Sequence, residues 1–129
     1  VILMIDYRQN ESKLLLTDQN IMRSFSGGRG AGFELLGRWL AESDKLTQPQ
    51  GIAVVMPGAT ERMSWSDTRA AVSMANSLAF AWGVPAVRLS GKEEAELTDE
   101  AVKILSNADF RARVSALYDG EPNITKSKM

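Results

Sequence analysis

Few side chains in this chain are able to carry covalent or metal chemistry. It has no cysteine and no histidine, which removes thiolate nucleophiles, zinc-thiolate sites, and the commonest general base and metal ligand. Ser64 and Ser66 would act as nucleophiles only beside a group that takes their proton, and no histidine or Ser-x-x-Lys arrangement supplies one. A serine at that place fits the cap of a helix better. Glu93-Glu94-Ala95-Glu96 gathers three carboxylates, yet a hard-cation cage draws its oxygens from separate segments, so a solvated face is expected and no metal is assigned. The run Gly27-Gly28-Arg29-Gly30-Ala31-Gly32 invites comparison with phosphate loops. A Walker loop needs Lys and Ser or Thr at the head of the next helix, where this chain has Phe33-Glu34, and the dinucleotide pattern Gly-x-Gly-x-x-Gly has a different spacing. A flexible hinge is the expected role, and no cofactor follows from it. Asp6, which ends the apolar run Val1-Ile2-Leu3-Met4-Ile5, reads by itself as a polar strand end that caps the next turn.

These groups must be held by one small core. The 129 residues allow a single domain over 1–129 with a short, loosely held C-terminal tail, and 44% hydrophobic with 24% charged residues is the balance of a globular protein. Lys and Arg number 15 against 16 Asp and Glu, a net charge of −1, so no direct nucleic-acid binding is expected. The opening apolar run lacks a basic flank and stops at Asp6, which suits neither a signal peptide nor a membrane span, and the expected location is the cytoplasm.

Residues 1–5 suit a strand buried on both faces. Lys13-Leu14-Leu15-Leu16-Thr17 and Ile21-Met22-Arg23-Ser24-Phe25 flank Asp18-Gln19-Asn20, residue types that accept the positive φ of a tight hairpin. After the glycine run, Phe33, Leu36 and Leu40 recur at helical spacing, predicting a first helix that ends near Ser43-Asp44. Gly51–Met56 reads as a buried strand closed by Pro57-Gly58. Residues 66–82 predict a second helix, capped by Ser64 or Ser66 and stopped by Gly83 and Pro85. Residues 85–89 predict a strand, Thr98 to Leu105 a short helix, and Phe110 to Tyr118 a further strand. The order strand, hairpin, helix, strand, helix, strand implies an α/β fold with a mixed sheet.

The second helix carries two apolar sides, Val72, Ala75, Ala79 and Trp82 on one and Ala71, Met74, Leu78 and Ala81 on the other. The sheet can cover only one; the first helix or another molecule covers the second. On the first helix, Leu35 and Trp39 lie outside the Phe33, Leu36, Leu40 stripe and are expected at the surface, where tryptophan concentrates binding energy.

Three stretches resemble the TsaB branch of the glycoprotease-like family, within the actin-like ATPase superfamily. Val1-Ile2-Leu3-Met4-Ile5-Asp6 is similar to its opening Ile-Leu-x-Ile-Asp-Thr-Ser, with Tyr7-Arg8 in place of Thr-Ser. Ser64-Trp65-Ser66-Asp67-Thr68-Arg69 and Ala75-Asn76-Ser77-Leu78-Ala79-Phe80-Ala81-Trp82-Gly83-Val84-Pro85 resemble its Ser-Phe-Thr-Gly-Val/Leu-Arg and Ala-x-Gly-Leu-Ala-x-Ala-x-x-x-Pro, without the preceding Gly-Pro-Gly. Ala116-Leu117-Tyr118-Asp119-Gly120-Glu121-Pro122 is similar to its closing Pro-x-Tyr. The resemblance implies a single actin-like, RNase H-like lobe. It implies a non-catalytic scaffold that supports a TsaD-like enzyme in tRNA threonylcarbamoyladenosine (position 37) modification, with a TsaE-like ATPase completing the assembly and a homodimer open to the chain in isolation. Partner-binding residues expected on that basis are Leu35, Trp39, Arg69, Ser73, Asn76 and Ala79. The alternative is an actin-like nucleotide-binding or phosphotransfer domain that places metal and phosphate with Asp6, although such enzymes close a second lobe for which this chain has little room.

Overall fold

The structure, a computed structural model, describes residues 1–18, 21–42, 49–57, 63–90 and 94–115. Strand β1 (Ile2–Asp6) lies at the centre of a five-stranded sheet of order β3-β2-β1-β4-β5. β2 (Glu11–Asp18) pairs antiparallel with β1, and β3 (Ile21–Gly28) antiparallel with β2. β4 (Gly51–Val55) and β5 (Ala86–Leu89) extend the other side in parallel register, Ile5 opposite Val54 and Val54 opposite Arg88. The mixed α/β sheet expected from the order of elements is present. Helices α1 (Gly32–Glu42) and α2 (Trp65–Trp82) cover one face, and α3 (Glu94–Leu105) the other.

Alternation along β1 explains why Ile2–Ile5 is apolar throughout, ahead of the buried Asp6 that ends the strand. Leu3 and Ile5 enter the core under α1 and α2, and Ile2 and Met4 enter the core under α3, so no position is left for a polar residue. Helix α2 starts as its sequence demands: Ser64 caps it, its Oγ accepting the Asp67 N–H at 3.0 Å. It ends at Gly83, whose φ of 67° is a left-handed conformation that a Cβ would strain.

Two expectations need correction. The C-terminal helix begins at Glu94, a turn before Thr98. Among the described residues from Phe110 onward there is no strand; the chain turns at Phe110 and Arg111 and runs on irregularly to Ser115. The hairpin residues Gln19 and Asn20, the end of the first helix at Ser43-Asp44 and the stretch Ala116–Pro122 lie outside the described residues.

Candidate functional site

Two regions draw on the residues singled out above: the corner at the carboxyl end of β1, and the outer face of α1 and α2. At the corner, Asp6 is 6% exposed and Arg8 turns back onto it. The Arg8 backbone N–H and Nε donate to Asp6 Oδ1 at 3.1 and 2.9 Å, and Nη2 donates to Oδ2 at 2.8 Å. The turn that follows places Gln9 at φ 60°, a left-handed conformation unusual for a residue other than glycine. Both carboxylate oxygens therefore serve a guanidinium, which occupies the positions a metal ion would need.

Tyr7 lies beneath the two helices, 5% exposed, with its hydroxyl 3.5 Å from the Met74 sulfur. Burial, and secondarily the negative charge of Asp67, push its phenol from 10.0 up to about 12. The unfolded chain thus loses this proton first. The stability linked to Tyr7 is whole below pH 10 and declines as pH rises from 10 towards 12. Urea unfolding across that interval is expected to show the decline, and Tyr7→Phe to remove it.

At the head of α2, Ser64 Oγ also receives Arg29 Nη2 at 3.2 Å and lies 3.4 Å from Ser66 Oγ. Arg29 Nε pairs with Asp67 at 3.4 Å. The serine is spent on capping. In the glycine run, Gly27 and Gly28 belong to β3, Gly30 takes a positive φ of 83°, and Gly32 is the point where α1 passes over Tyr7. Among the described residues no group of three or more carboxylates is arranged to hold a metal ion, and no described helix is long and apolar enough to cross a membrane.

On the helices, the structure reverses the expected faces of α1. Leu35 and Trp39 are 1% and 4% exposed and pack inward, whereas Phe33 is 77% exposed. Gly32, Leu35 and Trp39 form a stripe at the same helical spacing as Phe33, Leu36 and Leu40, and because Gly32 has no side chain the inward stripe looks shorter than it is. Trp39 meets Trp82 edge to face at 6.1 Å between centroids, so α1 of the same chain packs against the Trp82 end of α2, while Ala81 on the other apolar side stays exposed. Ala79 is also fully buried. Leu35, Trp39 and Ala79 are therefore core residues and not surface anchors. Asn76 is half-buried and spends its amide on the backbone of Val114. Arg69 and Ser73 do face outward.

What the outer face carries instead is Phe33 with Gly37 on α1, and Ala70, Ser73, Ser77 and Phe80 on α2, all exposed. Phe80 is 79% exposed. Its outward position follows from spacing, because Ser73, Ser77 and Phe80 lie three and four apart on the side opposite Ala71, Ala75 and Ala79.

No family model matches the chain, and no curated protein matches it in sequence. Among solved structures it is similar to YeaZ from Pseudomonas aeruginosa, with a TM-score of 0.56 and 19% identity over 69% of this chain and 44% of that one. A second is described as an uncharacterized protein with similarity to peptidase YEAZ from Pseudomonas aeruginosa, with a TM-score of 0.57 and 19% identity over 79% of this chain and 47% of that one. The fold is YeaZ-like. The chain spans less than half the length of either of these proteins. On this fold the two helices stand side by side on one face of the sheet, and Phe33 and Phe80 stay outside the core.

Proposed function

We propose that the chain is a non-catalytic docking subunit whose outer α1 and α2 surface seats on a TsaD-like enzyme of tRNA threonylcarbamoyladenosine synthesis in the cytoplasm. YeaZ is the protein also called TsaB, so the likeness of fold and the sequence resemblance support the same reading. The observation that carries it is the pair Phe33 and Phe80, each more than three-quarters exposed on neighbouring helices, beside Gly37, Ser73 and Ser77. Small residues let another helix approach closely, and the two rings supply apolar area worth about 1.5–3 kcal/mol each when fully buried. Arg69, on the same outward side, adds a charged contact at the rim. A TsaE-like ATPase would join the complex through the enzyme, and a homodimer through the same face would form when the enzyme is missing.

Phe33→Ala and Phe80→Ala test this directly. Each is expected to weaken binding to the TsaD-like protein of the same source by about tenfold or more, measured by titration calorimetry. Thermal stability should stay within about 0.5 kcal/mol of the parent chain, because neither ring contributes to the core. Unchanged affinity in both variants would remove this face from the reading.

A further inference from the structure

Helix α2 has α1 on one flank and the irregular stretch Ala112–Val114 on the other. The half-buried side chain of Asn76 reads both main-chain groups of Val114 there: the Val114 N–H donates to Asn76 Oδ1 at 2.9 Å, and Asn76 Nδ2 donates to the Val114 carbonyl at 3.0 Å. Two residues earlier the Ala112 carbonyl accepts the N–H of Ala86, the first residue of β5, at 3.0 Å. Between them Arg113 Nη1 donates to the Val84 carbonyl at 3.2 Å. Val114 points in and is 7% exposed, while Arg113 and Ser115 are exposed. Main-chain pairing with alternate side chains in and out is how an extended segment is recognised when added beside a sheet edge.

The rest of this stretch is tied to itself. Asn107 and Ala108 N–H groups reach back to Ile104 and Leu105, Ala112 N–H bonds to Asp109, and Phe110 is 59% exposed. We propose that Ala112–Val114 is a latch, seated in a site on the flank of α2 that takes an extended main chain with a small aliphatic side chain, and that Asn76 is its keeper. The latch opens without unfolding the sheet, because its anchors fall on three residues at the lobe's margin. Opening frees the Ala86 N–H on the outer edge of β5 and bares the seat of Val114, so the latch also guards that edge against pairing with other chains.

Hydrogen exchange on the full chain, read amide by amide, tests this. In Asn76→Leu, which keeps the branched shape and removes both bonds, the Ala86 and Val114 amides should exchange at least about tenfold faster, with Ile52 of β4 and Met56 just after it unchanged. Val114→Pro deletes the donor from the latch side and leaves α2 intact, and Ala86 should accelerate in the same way should Asn76→Leu fail to fold. Unchanged protection of Ala86 would overturn the latch. So would equal acceleration at Ile52 and Met56, which would make the stretch an inseparable part of the core.

Discussion

Arg8→Ala is expected to destabilise the chain by about 3–5 kcal/mol in urea unfolding, the usual cost of leaving one member of a buried ion pair behind. The side chains of Arg8 and Asp6 are 11% and 7% exposed, so water screens the pair little. Three hydrogen bonds end on the Asp6 carboxylate from this one residue, and alanine keeps only the backbone one. Replacing both residues with apolar side chains of similar size should recover most of the loss, since burial of the pair is itself costly. A loss below about 1 kcal/mol in Arg8→Ala would mean that the pair behaves as an exposed surface bridge. Arg8 already takes three acceptor positions of the Asp6 carboxylate, so the phosphotransfer alternative draws no support from this corner.

Gly32→Ala is the second substitution with a large expected cost. A Cβ at residue 32 would overlap the Tyr7 hydroxyl, lie 2.7 Å from Tyr7 Cζ and come within 3.3 Å of Met74 Cε. Tyr7 is enclosed between sheet and helices and has no free space to yield, so the first turn of α1 must lift. Overpacking of this kind costs about 1–3 kcal/mol, and here the upper end is expected. Tyr7→Phe removes the nearest atom, so the double variant should lose less than the two single variants combined, with a coupling of about 0.5 kcal/mol or more. Simple additivity would show that α1 does not approach Tyr7 so closely.

The elements were legible in the sequence wherever pattern and punctuation agreed. Ile2–Ile5 of β1 is apolar without a break because both faces of the strand are buried, and α2 is bracketed by Ser64 and Gly83, which cap it as their types predict. The face of α1 was not legible. Two stripes one residue apart have nearly equal hydrophobicity, and the deciding contact, Gly32 over Tyr7, joins residues far apart in the chain. The same holds for Asn76, whose partner is 38 residues away, and for Asp6, where nothing in the spacing shows that the Arg8 guanidinium will fold back onto its carboxylate. Of the expected partner-binding residues, Arg69 and Ser73 stay on the outer face, while Trp39 is buried and Phe33 and Phe80 are the rings exposed by more than three-quarters.

Two exposed phenylalanines on adjoining helices are poorly solvated in a free molecule, and their burial is what makes docking favourable. The most direct measurement is sedimentation velocity of the intact chain mixed in equal amounts with the TsaD-like protein from the same source. A single species at the summed mass, absent when Phe33 and Phe80 are both alanine, is the predicted result. Two boundaries that sediment independently at every concentration would contradict the account.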